Sequence, residues 1–231
     1  MADKYPRRKF LAAVGTAVAS PIVANAALAA PGQKANSIKI IGISCSPRKG
    51  KTTAAALKIC LDVAKAVNPA ITTQLIELAG LDIGIFNPND PKASQGGFVD
   101  LIPVLSEPKV AAIIVGTPVY FGGMTSLCKG FLDHCMAFRQ NNFALSGKVA
   151  GILAVGGARN GGQELAIQSV QAALLCQEMV IVGDGRPTGH FGATLVNSGN
   201  DDISSDEFGI ATAKNLGRRV AEVALKIGAG Q

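Results

Sequence analysis

Paired cysteines are missing from this 231-residue sequence: none of its five, Cys45, Cys60, Cys128, Cys135 and Cys176, falls in a C-x-x-C spacing. A zinc knuckle or a standard iron–sulfur run is therefore without support. Cys128 and Cys135 stand two turns apart on one predicted helix, roughly 10 Å along its axis, too far to bridge within it. Histidine is scarce too, with only His134 and His190. No serine–histidine–acid or paired-carboxylate arrangement stands out, so any chemistry falls to a bound group rather than to side chains. Basic runs interleaved with aromatics are also lacking, which argues against nucleic-acid binding in spite of a formal charge of +6.

Residues 1–29 read as an address. Arg7 and Arg8 stand directly before a mildly apolar, Ala-rich segment, and Ala24-Asn25-Ala26 or Ala27-Leu28-Ala29 offers a small-residue cleavage site. This resembles a twin-arginine export signal, and implies a periplasmic or otherwise extracytoplasmic protein exported already folded. The alternative is a membrane anchor, since the run is just long enough to span. Gly15 and Pro21 interrupt it, so no stable span is expected after processing. Lys4, Arg7, Arg8 and Lys9 lie in this segment against Asp3, so of 22 bases and 16 acids 18 and 15 remain beyond it. Much of the positive charge belongs to the signal. Residues 30–231 suffice for one domain with a full core, and an odd number of scattered cysteines fits buried thiols.

The most informative stretch is 37–53. Ile38, Ile40, Ile41 and Ile43 make a buried strand, which breaks into a loop rich in hydroxyls and bases and then into an Ala-rich helix. A helix N-terminus presents unpaired N–H groups and a dipole that favours negative charge. Ser44, Ser46, Thr52 and Thr53 add side-chain donors there, and Arg48, Lys49 and Lys51 add charge, with Gly50 at the turn. That combination reads as a phosphate cradle; the plainer alternative is an ordinary strand-to-helix turn capped by a threonine. Gly50-Lys51-Thr52 invites comparison with a Walker A loop, but that motif needs glycine where Cys45 stands.

Further along, helical periodicity covers 53–67, and 71–78 alternates as a strand. Glycines and prolines break 79–98 into a long loop, and a short helix is expected at 98–106. The apolar run 110–116 reads as a strand buried on both faces. A second unusual loop at 117–123 leads to a helix over 124–138. A strand at 148–155, a Gly-rich loop at 156–162, a helix at 163–176 and a short strand at 179–182 follow. A polar tail to 200 precedes a last helix near 205–227. Strands alternating with helices predict a three-layer, doubly wound α/β domain with five parallel strands. Right-handed crossovers bring the loops after strands one, three and four to one edge. In the order 2-1-3-4-5 the switch point lies between strands one and three, where ligands sit.

With those three loops assembled, the sequence resembles the NADPH-dependent FMN reductase and iron–sulfur flavoprotein family, of flavodoxin-like fold. Ser46-Pro47-Arg48-Lys49-Gly50 with Thr52-Thr53 is similar to its phosphate loop, Gly116–Gly122 to its ring-binding loop, and Gly161-Gly162-Gln163-Glu164 to a third motif. The resemblance implies FMN as cofactor, its phosphate on Ser46, Arg48, Thr52 and Thr53. Pro118, Val119, Tyr120, Phe121 and Gly122 would line one side of the ring, and Gly157, Ala158 and Arg159 the other. Core packing is the alternative for Tyr120 and Phe121, and a solvated loop base for Arg159. Lys51-Thr52 departs from the usual Gly-Asn, and 81–97 lacks the family's cysteine cluster, so the flavin is expected to be the sole redox group.

The expected activity is an FMN-dependent oxidoreductase passing electrons through flavin N5 to a small-molecule acceptor. NAD(P)H is the family's donor but is not expected outside the inner membrane, so a quinol or redox-protein donor is the other option. An FMN-binding electron-transfer module without its own substrate site is the alternative. Family likeness suggests a homodimer or homotetramer. His134 is expected to be structural, and His190 is a candidate for the crevice.

Overall fold

The computed structural model describes residues 37–90 and 93–228; the expected signal segment, residues 1–29, lies outside them. The apolar runs become strands in a parallel sheet. β1 (Ile38–Ser44), β2 (Ile71–Glu77), β3 (Val110–Pro118), β4 (Val149–Gly156) and β5 (Val180–Val182) pair in the order β2-β1-β3-β4-β5. This is the predicted doubly wound order.

Because successive residues of a strand face opposite ways, each central strand feeds two cores. On one face Ile38 and Ile40 of β1, Ala112 and Ile114 of β3, and Leu153 and Val155 of β4 meet two helices, α1 (Thr52–Val67) and the last helix, which runs Glu207–Gly228. On the other face Ile41, Ile43, Ile113 and Val115 meet α2 (Leu101–Ser106), α3 (Ser126–His134), α4 (Met136–Gln140) and α5 (Gln163–Leu175). With α6 the Glu207–Gly228 helix, the three layers are α1/α6, sheet, and α2–α5. The two outer layers seal β1, β3 and β4 from water, which is why these strands carry almost no polar side chains. α1 and α6 cross closely: a Cβ on Gly217 would strike the Cys60 carbonyl oxygen and come within 2.8 Å of the Cys60 carbonyl carbon and Cα. Glycine there lets two backbones touch.

The structure differs from the sequence expectation in three places. The tail after β5 contains a further strand, β6 (Ala193–Val196), which also pairs with β4. Val180, Ile181 and Val182 pair with Val149, Ala150 and Gly151, and Ala193 resumes beside Leu153. The edge position is thus one strand interrupted by residues 183–192. Gly183 abuts the His190 carbonyl so closely that a Cβ would not fit, and Asp184 accepts hydrogen bonds from the His190 amide and the Thr188 hydroxyl. These contacts fold the excursion back on itself.

The helix expected over 124–138 breaks at Cys135, which ends α3 and begins α4. Finally, the loop expected over 79–98 ends in a 3-10 segment, Ala93–Asp100, kinked at Gly96 (φ 47°, ψ −130°). It is pinned by Gly97 N–H donating to the Asp82 carbonyl at 2.8 Å and by the buried His134 ring, whose Nε2 sits 3.0 Å from the Gly84 carbonyl oxygen. Phe98 packs against that imidazole at 5.3 Å between centroids. His134 is a structural residue.

Candidate functional site

The loops after β1, β3 and β4 stand at the carboxyl ends of neighbouring parallel strands, at the point where the strand order reverses between β1 and β3. In the first, Ser44 closes β1; it is fully buried and its hydroxyl has no hydrogen-bond partner. Ser46, also buried, accepts from the Arg48 N–H and donates to the Arg48 carbonyl, both at 3.1 Å, which curls the loop back toward α1. Gly50 adopts φ 69°, a conformation glycine takes at no steric cost. Thr52 and Thr53, both buried, open α1, and no side chain caps its N-terminus. The first-turn N–H groups therefore lack an intrahelical acceptor and point at the loop. Two carboxylates reach in from elsewhere. Glu77, at the end of β2, accepts from the Gly50 N–H at 2.6 Å. Asp201 accepts from Arg48 Nη1 at 2.6 Å and pairs with Lys51 Nζ at 3.1 Å. The two cations hold the Asp201 carboxyl below the usual carboxylate range, Lys51 contributing most.

The second loop is a tight reversal. Val119 N–H donates to the Val155 carbonyl at 2.9 Å, and Tyr120 and Gly123 exchange a reciprocal backbone pair at 2.9 and 3.1 Å. Between them Phe121 and Gly122 both take positive φ, 49° and 78°, the pattern of a two-residue I′ hairpin turn. Tyr120 is half exposed and Phe121 wholly so, so neither serves the core. Pro118 ends β3 and its carbonyl accepts from the Thr117 hydroxyl.

The third loop is knotted by Gln163: its Nε2 donates to the Ala158 carbonyl at 2.6 Å and its Oε1 accepts from the Gly161 N–H at 2.9 Å. Gly157 and Ala158 stay exposed at the loop's outer surface. Gly162 (φ 99°) brings this loop against the second: a Cβ there would lie 2.8 Å from the Gly122 Cα. The two ring-side loops touch backbone to backbone.

Arg159 has its charge engaged by Asp206, donates to the Thr194 carbonyl at 3.1 Å, and lies over the Phe208 ring at 5.4 Å. With His190, Phe208 and Glu164 it borders a cavity of about 350 Å³ on the β6 side of the loop. His190 thus belongs to that cavity. Its Nδ1 lies 3.5 Å from the buried Asp184 carboxylate.

Several supporting residues have no local sequence signal. Thr125 is buried, donates to the Cys45 carbonyl at 2.8 Å and caps α3 by accepting from the Cys128 N–H, tying the first and second loops together. Asp206 caps α6 through the Gly209 N–H, accepts from the Val196 N–H at 2.7 Å and holds Arg159. A Ser-Asp-Glu before a helix is a legible cap, but its other two partners are not.

The residues fit a phosphorylated flat ring. The buried Ser44 hydroxyl lacks a partner, the α1 N-terminus is uncapped, and the backbones of Gly50, Gly122 and Gly157 face open space, with no atom within 4 Å of where a Cβ would stand. The model of the NADPH-dependent FMN reductase family matches residues 38–193. The chain belongs to that family. An iron–sulfur flavoprotein of Methanocaldococcus jannaschii is 38% identical over 190 residues, covering 80% of this chain and 97% of the relative. An NAD(P)H dehydrogenase (quinone) of Aromatoleum aromaticum is 31% identical over 172 residues, 64% of this chain and 83% of the relative. Among solved structures, a flavodoxin, WrbA-like protein from Agrobacterium tumefaciens superposes with a TM-score of 0.56 at 18% identity, over 83% of this chain and 99% of that one. The FMN reductase fold is thus flavodoxin-like, FMN is the cofactor, and the chain is an FMN-dependent oxidoreductase.

Proposed function

We propose that this FMN reductase homologue works outside the cytoplasm, passing electrons from a donor to a small acceptor such as a quinone, a flavin or a metal oxyanion. When bound, FMN supplies hydride and electron transfer at N5. The chain's part is to bind and orient. Ser46, Thr52, Thr53 and the α1 N-terminus would hold the phosphate, with the Ser44 hydroxyl nearby to donate. The turn at Tyr120–Gly123 and the Gly157–Ala158 backbone would bracket the ring, glycine allowing main chain to approach it closely.

The observation that carries this reading is the exposed aromatic turn. Tyr120 and Phe121 are exposed at the edge of the crevice rather than packed inward, Phe121 at a positive backbone angle, as a wall for a ring that must stay accessible to a second substrate. The flavin is read as the only redox group. Among the described residues no set of three His, Cys, Asp or Glu side chains is placed to hold a metal, and Cys45, Cys60, Cys128 and Cys135 are buried thiols.

The twin arginines, the Ala-rich segment and the small-residue sites support export; unpaired thiols suit folding before it. Among the described residues no helix is long and apolar enough to cross a membrane. Exposed Leu165, Leu175, Val180 and Phe191 support a homodimer or homotetramer. Holoprotein recovered from the extracytoplasmic fraction is assayed with NADPH, NADH and reduced quinones. Turnover with a reduced quinone and not with either nicotinamide is expected. Turnover confined to NADPH in a cytoplasmic holoprotein would refute the proposal.

A further inference from the structure

The phosphate loop is already supplied with an anion. Arg48 and Lys51, two of its three cations, converge on the two oxygens of one carboxylate, Asp201. The pairing spans 153 positions of sequence. It is made by a loop built for the purpose: Asn200 and Asp201 both hold left-handed backbone angles, φ 53° and 56°, uncommon for residues with a Cβ. Around them Ser198 N–H donates to the Asp202 carbonyl and Asp202 N–H to the Gly199 carbonyl, each at 3.2 Å. The Ser198 and Ser205 hydroxyls meet at 2.8 Å, and Asp202 accepts from the Ser204 N–H at 2.9 Å. The segment 198–205 is thus a compact turn that carries Asp201 to the cations. Glu77 meanwhile occupies the Gly50 N–H. Two protein carboxylates hold donors of the same short loop.

Resting on FMN as the bound cofactor, we infer that Asp201 is an internal competitor of the FMN phosphate. The dianion takes Arg48 and Lys51 from Asp201, and the 198–205 turn is released when it does. The exchange is feasible because both pairs are exposed: side-chain exposures are 53% for Arg48, 46% for Lys51 and 27% for Asp201. Exposed pairs hold weakly, whereas a phosphate carries nearly two charges and also takes the helix N–H groups. The consequence is selectivity. A flavin without phosphate has nothing with which to displace Asp201, so riboflavin leaves the turn closed.

Asp201→Asn removes the competing charge while keeping the shape of the turn. FMN affinity, read by flavin fluorescence quenching on protein stripped of cofactor, should tighten about three- to tenfold, the range that two exposed ion pairs supply. Riboflavin affinity should not change. Hydrogen exchange gives a second readout: amides of 198–205 should exchange faster in the wild type with FMN than with riboflavin. FMN binding that is unchanged or weaker in Asp201→Asn overturns the competition and makes Asp201 a residue that merely positions the cations. A wild type that binds FMN no more tightly than riboflavin overturns the phosphate assignment itself, a separate outcome.

Discussion

Gly162→Ala tests whether the two ring-side loops must touch. Two separate costs arise. At φ 99° an alanine sits in the left-handed region, which costs about 1–2 kcal/mol for a residue with a Cβ. Its Cβ would also lie 2.8 Å from the Gly122 Cα and 3.3 Å from the Gly122 carbonyl carbon and oxygen. All of these are backbone, so no rotamer change relieves them, and the Phe121-Gly122 turn has to retreat by about 0.6 Å or more to restore ordinary contact. Overpacking of that kind costs about 1–3 kcal/mol. The two terms overlap, since a shift in the loop eases both; a total of about 2–4 kcal/mol is expected, and a fall in Tm of roughly 5–15 °C for a domain of this size. The functional effect is larger than the stability effect implies, because the retreating turn is the one that would line the ring. FMN affinity should drop about tenfold at a temperature where the variant is still folded. Riboflavin affinity should drop by a similar factor, since the phosphate end is untouched. Gly147→Ala is the control: Gly147 has φ 74° but open space around its Cβ, and it precedes β4 at the opposite end of the strand. It should show the backbone strain alone and bind FMN normally. Equal FMN binding by folded Gly162→Ala and wild type, or equal damage from the two substitutions, would refute the reasoning.

Two further predictions concern the α1/α6 layer. In Gly217→Ala helix propensity favours the alanine by about 1 kcal/mol, but its Cβ meets the Cys60 backbone of a packed neighbour, and overpacking at about 1–3 kcal/mol wins; thermal unfolding should show a lower Tm, and a raised Tm would mean that the crossing is looser than the structure shows. Burial pushes the Cys60 thiol up from its ordinary 9.0 to about 12, and burial raises Cys45 and Cys135 as well. A pKa raised on folding gives stability that is whole below pH 9 and is lost as pH climbs toward the folded value, at about 1.4 kcal/mol per pH unit per thiol. Lys148, lowered by burial, runs the other way and blunts the fall as pH rises toward 10.5. Urea midpoints of wild type and Cys60→Ala, followed upward from pH 8, should therefore diverge in slope; parallel curves would rule out a buried protonated Cys60.

The central strands were legible because their burial is double-sided. Apart from Lys39, residues 38–43 and 110–116 carry no polar side chain, and the structure buries both sides of each. β6 was not legible. Ala193–Val196 is four residues between Gly192 and Asn197, too short to show a period, and its strand character comes from the open edge of β4 rather than from its own composition. The break at Cys135 has a similar origin: the apolar stripe continues through Phe131, Cys135 and Phe138, so periodicity alone runs the helix straight through the residue where one helix ends and the next begins.

The site divides in a similar way. Its donors lie in consecutive residues on three loops, and strand–loop–helix order is enough to gather them. What fixes the loops comes from far along the chain. Thr125 reaches across 80 positions to the Cys45 carbonyl, Asp206 across 47 to Arg159, and Asp201 across 153 to Arg48. Such partners are brought together by the three-dimensional fold, so no spacing rule announces them. Two of the three lie past residue 193, where the match to the family model ends, and each holds a cation on a loop within that match. The charge on the phosphate loop and the placement of Arg159 are properties of this chain's last forty residues as much as of its nucleotide-binding motifs.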